Sequence, residues 1–221
     1  MKILTLIVSF FACAALGAAG VSRADDAPDP YSYGWHNSQL KSDIGVSTLV
    51  GGGVTGFTDK TMRDSMSSNA GGLWDLRVTL GTHTPLGLDV NYVGTGANIN
   101  ALIGSQSGTL IGTTFEGALR FNVLPHHRWD PYAFAGIGWQ RYDITGGNFS
   151  LSDSGMNESD NSVVFPMGAG IAFRDTSGLV LDLHGTFRAN ANPGLVLENA
   201  GSNNFAPMHS WEASAAIGYE F

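Results

Sequence analysis

From residue 44 to residue 221, apolar and polar residues alternate with a period of two. At that spacing successive side chains of a β-strand point to opposite faces. Six segments show the rule cleanly. Trp74, Leu76, Val78 and Leu80 alternate with Asp75, Arg77, Thr79 and Gly81, and Leu86 to Tyr92 repeats the pattern around Asp89. Phe115, Leu119 and Phe121 are interleaved with Glu116 and Arg120, and Val163 to Phe173 alternates with small residues and ends beside Arg174. Leu179 to Phe187 is interleaved with Asp182 and His184 and followed by Arg188; Trp211 to Phe221 is interleaved with Glu212 and Glu220. Two segments are weaker. Ile44 to Phe57 contains Gly51-Gly52-Gly53, and Tyr132 to Tyr142 carries aromatics on both faces, so its inner face stays open. The pattern predicts eight strands.

In the six clean strands one face carries no charge. The other carries Asp75, Arg77, Asp89, Glu116, Arg120, Arg174, Asp182, His184, Arg188, Glu212 and Glu220. A soluble barrel with an apolar core and a transmembrane barrel with an apolar exterior alternate identically. Three features favour the second. The charged face is dense in small residues (Gly81, Ala118, Gly168, Gly170, Ala172, Ala216, Gly218), which suits a crowded lumen better than a solvated exterior. Connections alternate in length: 58–70, 94–109, 143–161 and 190–207 are long and polar, whereas 82–85, 124–131 and 175–178 are short. The chain also closes on an aromatic strand, Tyr219-Glu220-Phe221. An open sheet edge has no hydrogen-bond partners in hydrocarbon, so such a sheet must close on itself. The predicted fold is therefore all-β, an eight-stranded antiparallel transmembrane β-barrel with up-and-down connections over 44–221. Trp74, Tyr92, Phe187 and Trp211 near the loop ends, and Phe121, Phe173, Tyr219 and Phe221 near the turn ends, are the predicted aromatic girdles.

The first strand (Gly51-Gly52-Gly53-Val54-Thr55-Gly56-Phe57), the run Pro131-Tyr132-Ala133-Phe134-Ala135-Gly136-Ile137-Gly138 and the terminal Tyr219-x-Phe221 resemble the small OmpA-like outer-membrane β-barrels of Gram-negative bacteria. The resemblance spans residues 44–221. It implies residence in the outer membrane among its lipids and lipopolysaccharide. It also implies insertion by the barrel assembly machinery, with Tyr219 and Phe221 as the assembly signal. The family includes anchors, adhesins, narrow channels and a few enzymes.

The remaining chain adds context. Lys2, the apolar stretch Ile3 to Ala19 and Ser22-Arg23-Ala24 read as a secretory signal peptide cleaved after Ala24. Acylation at Cys13 is the weaker alternative, because Phe10-Phe11-Ala12 matches a lipoprotein signal poorly. Loss of residues 1–24 would take the formal net charge from −8 to −10 and remove the only cysteine. Residues 25–43 are a polar, periplasmic leader with Pro28 and Pro30 and no periodicity. Charged residues are only 14% of the 221, against about 25% in a soluble domain. No basic cluster is present, which excludes a nucleic-acid partner.

An eight-stranded barrel is just wide enough to be filled by its own side chains. The inward acids and arginines must therefore pair, since an isolated buried charge costs several kcal/mol. Hairpin geometry suggests Arg77 near Asp89 or Asn91, Asp89 near Glu116 with Arg120 beside them, and Arg188 opposite Glu212. Read functionally, the same residues are a structural plug or a gate. A lipid A-modifying enzyme is a distant alternative: His184 and Thr186 share a face and Glu212 lies on the next strand, but no serine is expected beside the histidine. His126-His127 lacks a carboxylate or cysteine for a metal pair, and the Asp153 to Asp160 run lacks the ligand order of a calcium loop. The chain is accordingly expected to be a monomeric, non-enzymatic, structural or porin-like barrel without cofactors. A narrow channel for ions or small solutes, hydrophobic ones included, is the runner-up, and any extracellular ligand would meet the long loops.

Overall fold

The computed structural model describes residues 44–66, 70–100, 107–146, 154, 156–198 and 203–221. The signal segment, the 25–43 leader and Asp153 lie outside them. Eight strands are present: β1 (Val46–Phe57), β2 (Gly71–Leu80), β3 (Leu86–Asn100), β4 (Ser107–Asn122), β5 (Trp129–Thr145), β6 (Ser159–Arg174), β7 (Leu179–Ala191) and β8 (Ser210–Glu220). A short helix, α1 (Lys60–Ser65), follows β1. Each strand pairs antiparallel with its neighbours in sequence, and β1 also pairs with β8 from Ser47↔Glu220 to Phe57↔Ser210. The barrel is closed. Phe221 N donates to Val46 O at 2.8 Å, so the last residue pins the seam. Among the described residues no helix is long and apolar enough to cross a membrane.

Exposure is inverted relative to a soluble protein. Leu86, Leu119, Ile137, Leu183 and Val50 lie on the outside, with Leu119 69% exposed, while Asp75, Arg77, Glu116 and Glu212 are buried inside. A continuous apolar exterior around a charged interior has a favourable solvent only in hydrocarbon. The belt has visible limits. At the loop end Trp74, Tyr92, Phe115, Trp139, Phe165 and Trp211 face outward, and the Trp74 and Tyr92 rings pack at 5.5 Å. Two residues beyond Trp139 on the same face stands the exposed Arg141, paired with Asp143 at 2.8 Å. At the turn end Trp129 packs on Phe173 at 4.7 Å and Tyr219 on Phe221 at 5.2 Å, with Phe121 also outward. Phe187 is half-buried and meets His209, at 6.1 Å.

The turns are short for identifiable reasons. Gly81 (φ 84°) and Gly178 (φ 89°) occupy the left-handed region, which costs glycine nothing. In the 175–178 turn Asp175 accepts from Ser177 Oγ at 2.9 Å, and that bond holds its carboxyl below the ordinary range. The long polar segment expected at 94–109 is mostly strand: β3 runs to Asn100 and β4 starts at Ser107. Strands of about 9–11 residues suffice to span a bilayer. With 15 to 17 residues, β3 to β6 rise beyond it at the loop end and form a wall.

Candidate functional site

The strand period sends one residue in two into the lumen, and the register stacks these residues in layers. The inner face of β5, unassigned from sequence, carries Tyr132, Phe134, Gln140, Tyr142 and Ile144, while Ile137 and Trp139 point to lipid. Two aromatic rings thus fill the lumen where the outer face needed only alanines.

At the turn end Arg174 donates to Asp130 at 2.9 Å and stands 3.3 Å from Glu220. Glu220 also meets His83 Nε2 at 2.8 Å and accepts a very short hydrogen bond from Thr82. Above this, Arg120 lies over the Tyr132 ring, its guanidinium carbon 3.4 Å from the centroid, and 3.9 Å from Asp89. Tyr132 Oη accepts from Arg77 at 3.0 Å and donates to Asp182 at 2.8 Å. Arg77 reaches Asp182 at 3.2 Å and Asp75 at 3.8 Å. Toward the loop end Arg188 is clamped between two carboxylates, with Glu116 at 2.9 Å through two nitrogens and Glu212 at 2.5 Å. Asn91 adds a bond to Glu116 at 3.1 Å.

Several pairings differ from those suggested by hairpin geometry. Arg77 stands opposite Asn91 in register but extends across the lumen to Asp182, while Asp89 is met by Thr79 at 2.7 Å and by Arg120 at 3.9 Å. Asp89 faces Ala118, not Glu116, and Glu116 is held by Asn91 and Arg188. Arg188 and Glu212 do meet, although Glu212 lies two residues along β8 from Ser210, the register partner of Arg188. The reach of an arginine exceeds a strand spacing, so adjacency along a hairpin does not determine its partner.

A serine does stand beside His184. Ser214, its register partner on β8, has Oγ 2.8 Å from Nε2, and Asp182 lies 2.9 Å from Nδ1. Those are the distances of a nucleophile–base–acid array. However, Arg77 Nη2 stands 2.6 Å from the same Nε2 and 2.8 Å from Nδ1, so a guanidinium lies against the imidazole and disfavours the second positive charge that taking the serine proton would create. Ser214 and His184 are also buried. Thr186 lies against Glu212 in register and is buried as well. The lumen void lined by Arg77, Asn91, Glu116, Ala118 and Phe134 has room for about one water molecule. Ser214 does not line that void. Among the described residues no three His, Cys, Asp or Glu side chains converge on a metal position. His126 and His127 are exposed in the β4–β5 turn.

The loop end holds a layer that the polar appearance of the connections conceals. Phe57, Ile99, Leu110, Tyr142 and Ile144 point inward from the strands. Met62 and Met66 from α1 and its end, Met156, Leu195, Val196, Ala206 and Met208 pack onto them, and Met62, Met156 and Met208 are wholly buried. The isolated bridges Met66↔Ile99 and Met156↔Val196 fix these segments in the mouth. Between the cap and the ion pairs Gln140 donates to Thr114 and to Tyr142, both at 3.0 Å. The sequence signal, in retrospect, is the isolated methionines within polar loops.

Closed antiparallel topology, a lipid-compatible belt and a charged lumen define one class of architecture. The fold is that of the small outer-membrane barrels. Neisserial surface protein A superimposes with a TM-score of 0.56 at 14% identity, covering 81% of this chain and 98% of that one. Ail, the attachment invasion locus protein of Yersinia pestis, in a complex with the heparin analogue sucrose octasulfate, gives 0.52 at 12% identity over 81% and 100%. OprG of Pseudomonas aeruginosa gives 0.52 at 10% identity over 83% and 99%. No protein-family model and no curated protein sequence matches the chain. The likeness is one of fold, the fold that the OmpA-like resemblance implied, in a transmembrane barrel of the outer-membrane type.

Proposed function

We propose that this outer-membrane barrel is a structural, non-enzymatic monomer with a closed lumen, and that it acts through its loop-end surface. The observation that supports this most is the double closure. The Glu116–Arg188–Glu212 clamp crosses the lumen, and an apolar cap with three wholly buried methionines fills its mouth. An ion would have to separate buried charges and also pass a layer that does not wet. The refolded protein in planar bilayers is expected to be silent, with folding confirmed by heat-modifiable migration in SDS gels. Discrete single-channel openings of the wild type would overturn the closed-lumen reading and favour a narrow channel.

The enzymatic alternative loses support because the Arg77 guanidinium lies against both ring nitrogens of His184 and disfavours the imidazolium that a nucleophilic Ser214 would create. For the loop-end partner, charge narrows the field. The described loop-end residues include Asp59, Asp64, Asp143, Glu158, Asp160 and Glu198 against Lys60, Arg63 and Arg141. Ail was crystallised with a sulfated heparin analogue. The acidic rim of this chain would repel such a polyanion and suits a cationic or neutral partner. Export by a cleaved signal and insertion by the barrel assembly machinery belong to the same reading. Deleting Phe221 removes the residue that ties the seam to Val46. The deletion is expected to lower outer-membrane levels severalfold in fractionated cells, and unchanged levels would argue against Phe221 as an assembly signal.

A further inference from the structure

The charged layers of the lumen leave one amide oxygen unmet. Asn91 is buried, and its Nδ2 donates to Glu116 Oε1 at 3.1 Å. That bond sets the orientation of the amide and leaves Oδ1 as an acceptor. Among the described residues Oδ1 has no hydrogen-bond partner. Buried polar groups of folded proteins are bonded with few exceptions, to the protein itself or to ordered water. Asp89 is also short of a donor. Its Oδ1 accepts from Thr79 at 2.7 Å, but Arg120 stands 3.9 Å from Oδ2, beyond hydrogen-bond reach.

Asn91 and Asp89 both line the lumen void that has room for about one water molecule. The void touches two charged layers at once, Arg77 in one and Glu116, from the Arg188 clamp, in the other. Its lining selects the occupant. Asn91 Oδ1 and the Asp89 carboxylate both accept, so the occupant has to donate twice. Arg120 and Arg188 already stand beside the two lining carboxylates, and Arg77 is itself on the wall, so a further cation is disfavoured. An anion would meet Asp89 and Glu116. A neutral molecule of this size that donates twice is water. We propose that the void is the binding site of one structural water molecule, which donates to Asn91 Oδ1 and Asp89 Oδ2. The water steadies the amide that holds Glu116 and so ties Asp89 to the Arg188 clamp. The site goes beyond the closed-lumen reading and needs only its lining residues: conductance tests that reading, and hydration tests this one.

The test is oxygen-17 relaxation dispersion of water in solutions of the refolded, detergent-solubilised full chain. Oxygen-17 reports long-lived internal water and is blind to exchanging hydroxyl protons. Wild type is compared with Ala118→Val, which fills the void from β4 without removing a polar group, and with Ala133→Val on the outer face. Ala118→Val is expected to lose an amplitude equivalent to one water molecule, and Ala133→Val to retain it. A wild type without a long-lived component would overturn the proposal, as would equal amplitudes in wild type and Ala118→Val. Should Ala118→Val fail to refold, the nuclear Overhauser effect between water and the wild-type Ala118 methyl serves in its place. The buried Ala172 methyl, which does not line this void, is the reference. A cross-peak at Ala118 alone is expected, and none at Ala118, or equal ones at both methyls, would refute the site.

Discussion

Arg188 shows how unevenly the interior charges are constrained. It is the single cation between Glu116 and Glu212, and all three side chains are buried. Arg188→Ala leaves two carboxylates facing one another in a dry lumen and is expected to cost about 3–5 kcal/mol, read from urea unfolding in detergent or bilayers. Replacing the whole clamp (Arg188→Met with Glu116→Gln and Glu212→Gln) should recover most of that loss, because no uncompensated charge then remains. If the single and triple variants were equally unstable, packing volume would be the dominant contribution of Arg188, ahead of charge. In the six clean strands, residue identity on each face was legible in the sequence, because the period of two forces every second side chain inward. Partner choice was not. Asp89 is met by Thr79 and Arg120, and the length of Arg77 carries it past its hairpin neighbours to Asp182.

Among the elements, the strands were legible and the cap was not. Periodicity identifies a strand from its own residues, as Trp74 to Leu80 and Trp211 to Phe221 do. The cap is assembled from single apolar residues in separate connections, Met62, Met156 and Met208, and isolated methionines have no period to detect. The inner face of β5 was obscured for a related reason, since its lumen aromatics Tyr132 and Phe134 are as apolar as its lipid-facing Ile137 and Trp139. The cap makes a distinct prediction. Met62→Ala opens space in a filled cluster and should cost about 2–5 kcal/mol, read as increased protease cleavage in the 58–70 connection. The membrane-embedded part should survive intact, because α1 contributes nothing to the strand ladder. Simultaneous loss of the barrel would mean that the cap and barrel unfold as one unit.

For the molecule as a whole, the decisive question is which solvent meets the exterior. Leu119 is 69% exposed on the outer face of β4, midway between Phe115 and Val123. On a soluble protein Leu119→Arg would be close to neutral. At the midplane of a bilayer it should cost about 2–4 kcal/mol, measured as folding free energy into lipid vesicles. A negligible cost in vesicles would contradict the lipid-facing assignment.

The seam has a kinetic consequence. The pair Ser47↔Glu220 joins opposite ends of the described chain, so it is the contact of greatest sequence separation in the ladder. Loop-closure entropy must be overcome before that contact gives any return, and chains dominated by such contacts fold slowly. Until β8 arrives, β1 presents unpaired amides and carbonyls that neither water nor a neighbour satisfies inside the membrane. Hairpins β2 to β7 can form early and locally, each from adjacent strands. Completion, however, waits for the final eleven residues, so any agent that masks the free edge of β1 would arrest the nascent barrel one strand short of its final state.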